Sequence, residues 1–143
     1  MPKALDLAVQ RLQDLSLAST DITIKAAPDY PISDAAVAPF TIAYIGGGEV
    51  VASNATMTRY IVNLYVDFYT NVQILKDAFQ KSDDFVMEFP RRLAGDPTLN
   101  GAVDTIVFPV TVAAPTRSEW NGVPFLFRRI TVPVKILDTP ITP

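Results

Sequence analysis

The chain has 143 residues, of which 49% are hydrophobic and 19% charged; its net charge is −3, and it contains neither cysteine nor histidine. This excludes disulfides and zinc–thiolate sites, removes the commonest general base and transition-metal ligand, and leaves no overall positive field to hold nucleic acid. One domain is expected, with a core of its own. The low charged fraction fits equally a strand-rich core or a surface covered by other copies or partners.

In chain order, Leu5, Ala8, Val9, Leu12 and Leu15 fall at helical spacing. They predict a helix over about 3–16 with one apolar stripe, and Pro2 suits its first turn. Charges break up its apolar positions, which argues against a signal peptide or membrane anchor, and no run is long enough to span a bilayer. Residues 22–25 read as a short strand. An extended connection near 26–39 follows, held open by Pro28, Pro31 and Pro39.

Phe40, Ile42 and Tyr44 mark one side of the next strand. Gly46, Gly47 and Gly48 interrupt it with a turn or bulge before residues 49–52 resume the pattern. A second turn leads into residues 57–69, the best-patterned stretch of the chain. Thr58, Tyr60, Val62, Leu64, Val66 and Phe68 alternate with Arg59, Ile61, Asn63, Tyr65, Asp67 and Tyr69, which predicts a central strand of an antiparallel sheet.

A helix capped by Thr70 or Asn71 is expected next, with Val72, Leu75, Ala78 and Phe79 buried. Ser82, with Asp83 and Asp84, reads as a second cap before another stripe of Phe85, Val86, Phe89 and Leu93. Pro90 should kink or break that stripe. After a turn at Leu99, Asn100 and Gly101, a long strand is expected over 102–114 and a last one over 124–138, followed by a short tail at 139–143. Ile130, Val132, Val134 and Ile136 form the buried face of the last strand, which puts Arg128 out of place and implies a bulge near Arg128 and Arg129. Pro109 and Pro133 sit in echoing segments, IVFPVTV and ITVPVKI, and each amide must face an open edge or a bulge. The fold class expected is α+β: an antiparallel sheet with long hairpins, flanked by an N-terminal helix and a central helical segment.

The chemistry on offer is sparse. The glycine run lacks the lysine and hydroxyl of a phosphate-binding loop. Asp83, Asp84 and Glu88 suit a capped, solvated helix start better than a divalent-cation site. Arg91, Arg92, Arg117, Glu119, Trp120, Arg128 and Arg129 form a candidate subunit or partner interface; in an acidic chain, protein contacts or solvated charge fit them better than a grip on DNA. No serine has a lysine three places on, so a nucleophile would lack its usual partners. No catalytic, cofactor or metal site is expected, and an enzyme has no support.

Three stretches, Pro28–Asp29–Tyr30–Pro31, PFTIAYIGGGEV and DPTLNGAV, lie within this order of elements. Together they resemble the tail-terminator (tail-completion) proteins of long-tailed bacteriophages. The resemblance implies a structural virion protein, made in the host cytoplasm, that forms a homohexameric ring at the head-proximal end of the tail tube. Such a ring stops tube growth and gives the head connector a docking face. Its implied partners are copies of itself, the tail tube protein and the connector; DNA is only a passing occupant of the lumen, and no membrane or cofactor is involved. Under this reading Asp67, Asp83, Asp84, Glu88 and Asp104 are candidate lumen-facing acids, since like charge lets DNA slide past. The alternatives are a head–tail connector, neck or tube subunit and, in another class, a small-ligand-binding β-domain using Tyr65, Tyr69 and Trp120.

Overall fold

The alternating stretch becomes the second lane of an antiparallel sheet. The computed structural model describes residues 2–18, 24, 39–53, 58–72, 75–120 and 122–138. Their elements are α1 (Pro2–Leu17), β1 (Phe40–Ser53), β2 (Thr58–Asn71), α2 (Leu75–Ala94), β3 (Thr105–Ile106), β4 (Thr111–Val112), β5 (Thr116–Trp120) and β6 (Val123–Asp138). The lanes run β1, β2, β6, and then a fourth lane made in turn by β3, β4 and β5, each antiparallel to β6. The expected strand at 22–25, the Pro-rich connection and the tail lie outside the described residues, apart from Ile24, which is buried in the core, and Pro39, which precedes β1.

The core follows from the alternation. Leu64, Val66 and Phe68 on β2 and Ile130, Val132 and Val134 on β6 are fully buried on one face. Both helices cover that face. α1 lays Ala8, Val9, Leu12 and Leu15 against it, the stripe expected, and α2 adds Phe85, Phe89 and Leu93. Phe68, Phe85 and Phe89 form a continuous stack with centroid spacings of 4.9 and 5.1 Å.

Four expectations are corrected. α2 is one helix through Ser82 and Pro90, so Ser82 is not a cap and Pro90 does not end the helix. Its buried residues are Ala78, Ser82, Phe85, Glu88, Phe89 and Leu93; Leu75 and Phe79 are 42% and 40% exposed, because the phase set by the phenylalanine stack turns them outward. The long strand at 102–114 is broken: the register against β6 slips by two residues between Ile106 and Thr111, and by one more between Val112 and Thr116. The bulge near Arg128 and Arg129 is not in the last strand, since β2 and β6 pair without interruption from Thr58↔Asp138 to Asn71↔Phe125; the extra residue lies in the lane facing them, between Val112 and Thr116.

Pro133 explains the broken lane. Asp104, Val107 and Ala113 donate their N–H groups to the carbonyls of Lys135, Pro133 and Arg129. The odd-numbered groups of β6 therefore face the fourth lane, and Pro133 has no N–H to offer there. The lane bulges at that point, where Pro109 also lies, so of the open edge or bulge expected for each proline amide, Pro133 meets the bulge. The glycine run is a bulge within β1, with a register shift between Ile45 and Gly48. A side chain at Gly46 would run into the Tyr65 ring, and one at Gly48 would come within 2.7 Å of the Ile61 carbonyl.

Candidate functional site

Cross-strand pairing gathers polar and aromatic groups on the face away from α1 and α2. Ile42 and Arg129 both pair in register with Asp67, on either side of it. Tyr44 pairs with Tyr65, and Phe40 and Phe127 flank Tyr69 in the same way. Direct partners share a face, so all of these side chains stand together.

At the centre is a closed triangle. Arg129 Nε donates to Asp67 Oδ1 at 2.9 Å, Tyr44 Oη–H donates to Asp67 Oδ2 at 2.7 Å, and Arg129 Nη2 donates to Tyr44 Oη at 2.6 Å. The Arg129 guanidinium also lies 4.4 Å from the centroid of the Tyr65 ring and 5.5 Å from that of Phe127. Asp67 is 2% exposed, so its carboxylate depends on these donors in place of water. Burial, then the hydrogen bond to Asp67, pushes the Tyr44 phenol well above its ordinary value. Burial, then the Asp67 charge, pushes Tyr69 up to about 12. The pair with Asp67 raises Arg129, keeping it charged. Beside the triangle, Phe40 stacks on Tyr69 with centroids 5.0 Å apart, and Phe125 meets Phe40 edge-on.

Two of the candidate lumen acids are corrected by this geometry. Asp67 is buried in the triangle. Glu88 is 5% exposed and accepts from Arg92 at 2.7 Å, one helical turn away. Neither presents free charge to a lumen. Asp83 and Asp104 are exposed and Asp84 is half-buried.

The arginines divide similarly. Arg128 shares the helix-bearing face with Ile130 and clamps three elements: it donates to the Ala113 carbonyl, to Asp83 at 2.7 Å and, at 3.5 Å, to Ser82. It ties β6 and the fourth lane to α2, which is why it sits on the apolar face without a bulge in β6. Arg92 and Arg129 are likewise committed within the chain, and Arg91 donates to the Met87 carbonyl. Arg117 and Glu119 are exposed on β5. The Trp120 side chain lies outside the described residues.

A groove of about 510 Å³ runs between α1 and β1, lined by Asp6, Val9, Gln10, Gln13, Ala43, Tyr44 and Ile45. A smaller one of about 360 Å³ lies between α1 and the loop at 99–102. At its edge Arg11 donates to Asp96 at 2.7 Å. Burial opposes ionisation of Asp96, but this bond, the Asn100 N–H and the Arg11 charge together hold its carboxyl below the ordinary value. Among the described residues, no group of three metal-ligating side chains comes together, and no helix is long and apolar enough to cross a membrane. The sequence reading missed the triangle: alternation put Asp67 on a solvent face, and its two partners lie 23 and 62 residues away.

Compared with known proteins, the sequence matches no family model and no curated protein.

Proposed function

We propose that this chain is a structural ring-forming protein of a long-tailed phage, a tail terminator that caps the head-proximal end of the tail tube and offers the head connector a docking face. The observation that carries this reading is the order of elements within one α+β domain. An amphipathic N-terminal helix, the β1–β2 hairpin, a helical segment, and the DPTLNGAV turn leading to the last strands come in the order on which the sequence resembles that family. The mechanism is occupancy: a ring seated on the last tube ring covers the surface to which the next would add. Specificity then comes from complementary shape and charge.

The test is capping. The purified chain, added to growing tail tubes, should fix their length and bind at one end. Tubes that lengthen unchanged, or a chain that polymerises alone into tubes, would overturn the reading, the second in favour of a tube subunit. Neutralising the accessible acids Asp84 and Asp104 to asparagine should slow DNA passage if they face the lumen; unchanged DNA ejection would remove them from that role.

A second reading, a small-ligand-binding domain, draws on Tyr65 and Tyr69, which are half-buried on the face away from α1 and α2. Tyr65 already carries the Arg129 guanidinium and Tyr69 the Phe40 ring, so a ligand would compete with contacts the fold has made. A ligand-dependent change in Trp120 fluorescence would support it.

A further inference from the structure

The sequence holds two Asn–Gly pairs, Asn100–Gly101 and Asn121–Gly122. Asparagine before glycine readily loses its side-chain amide, because glycine leaves the next backbone nitrogen unhindered. We propose that Asn100 is a site of spontaneous deamidation gated by the turn at 98–101: the closed turn holds the reacting atoms apart, opening it lets them meet, and the product loosens α1 from that turn.

The closed turn is left-handed over three residues. Leu99, Asn100 and Gly101 have φ of 49°, 58° and 84°. A left-handed residue has ψ of about +47°, which turns the following nitrogen almost directly away from its own Cβ. The Gly101 nitrogen therefore lies on the far side of Asn100 from the side-chain Cγ it would attack. Hydrogen bonds hold this shape. Asn100 N–H donates to Asp96 Oδ1 at 2.9 Å, Gly101 N–H to Thr98 Oγ1 at 3.2 Å, and Val103 N–H to the Thr98 carbonyl at 3.1 Å.

Other features favour opening. Leu99 and Asn100 carry a Cβ in a region that L residues seldom adopt, so the turn stores strain. Leu99 is 1% exposed and pins the base of the turn, while Thr98, Asn100 and Gly101 are exposed at its rim. The rim can therefore open as a local event, without unfolding the domain. Asn100 and Gly101 also line the smaller groove beside α1, which brings water to the reacting residues.

In the open turn the Gly101 nitrogen attacks Asn100 Cγ. A bond forms between them, the bond from Cγ to the amide nitrogen breaks, and that nitrogen leaves as ammonia with the proton from Gly101. Water then opens the cyclic imide at either carbonyl. One product is aspartate; the other is isoaspartate, whose main chain runs through the former side chain. Nothing is oxidised or reduced. Either product adds a negative charge close to Asp96, and isoaspartate adds a methylene to a turn whose N–H groups are already matched to their acceptors. Asp96 also accepts from Arg11 Nε at 2.7 Å, the bond that fastens α1 to this turn. Once the turn cannot close, Asp96 loses the Asn100 N–H and Arg11 loses a fixed partner.

The experiment follows the full chain by peptide mass spectrometry after incubation in buffer and in guanidinium. Trypsin separates the two sites, since Arg92, Arg117 and Arg128 place Asn100 in peptide 93–117 and Asn121 in 118–128. Each deamidation adds one mass unit. In guanidinium both sites should react at similar rates, which calibrates the chemistry. In buffer Asn100 should react about tenfold or more slower than in guanidinium. Thr98→Val, which removes the Gly101 acceptor, should speed the folded reaction several-fold and leave the guanidinium rate unchanged; thermal melts check that it is folded. Hydrogen exchange in α1 should be faster in aged than in fresh protein, and Asn100→Gln, which cyclises far more slowly, should age without that change. Asn100 reacting as fast in buffer as in guanidinium, or at a rate indifferent to Thr98→Val, overturns the gate. Aged protein with unchanged exchange in α1, or Asn100→Gln showing the same gain, overturns the coupling to α1. Asn100 left intact in the folded Thr98→Val chain overturns the site itself.

Discussion

The two faces of one sheet are built on different physics. On the helix-bearing face, leucine, valine, isoleucine and phenylalanine fill the space under α1 and α2, and stability comes from apolar area and close packing. On the other face, Asp67, Arg129 and Tyr44 are held among aromatic rings, and a charge stays buried only because each of its hydrogen bonds is made. The first face tolerates exchange among apolar side chains of similar volume. The second is specified residue by residue, and removing one partner strands the others.

Substitutions should expose this difference. The largest effect belongs to the packed face: Phe85→Ala, in the middle of the three-ring stack, should cost about 3–5 kcal/mol in denaturant unfolding, while Phe85→Leu costs much less. On the polar face, Asp67→Asn should cost about 2–3 kcal/mol, although it changes almost no volume, because the amide keeps one acceptor oxygen where Arg129 and Tyr44 use two, and loses the charge that pairs with Arg129. A double-mutant cycle with Arg129→Met should show strong coupling; additive costs would mean the triangle is not a unit. Gly46→Val should cost about 1–3 kcal/mol by driving the Tyr65 ring off Arg129, and should change the near-ultraviolet tyrosine signal. The smallest effect is alkaline. The folded state holds Tyr69 protonated up to about 12 against an ordinary value of 10.0. The unfolded chain therefore loses this proton first, and stability falls as pH rises from 10 towards 12. Tyr69→Phe should flatten that fall; an unchanged slope would place the loss elsewhere.

Much of the apolar face was legible in the sequence, because periodicity reports burial directly. The α1 stripe, the β2 alternation and Ile130–Val132–Val134–Ile136 all pack as their spacing implies. α2 was harder: Leu75 and Phe79 outrank Ala78 and Ser82 in hydrophobicity, yet close contact with the sheet favours the smaller pair. Arg128 looked like a phase error because a charged residue on an apolar face is usually displaced; its place is fixed by Asp83 and the Ala113 carbonyl, which only the fold brings near. The polar face was hidden for the same reason. Nothing local marks Asp67 and Arg129 as partners, and their pairing follows from the register of β2 on β6.

That register also bears on synthesis. β6 pairs with β2 on one side and with β3, β4 and β5 on the other, and it is translated after all of them. Until it emerges, β1–β2 is the one strand pairing among the described residues that the nascent chain can make, with the inner edge of β2 bare through the making of α2 and the fourth-lane segments. Neighbouring ribosomes on one message bring such ribbons close together. A β6 inserted beside the wrong copy's β2 would make the same ladder bonds as its own, so strand exchange between copies is open to this topology until Val123–Asp138 is made.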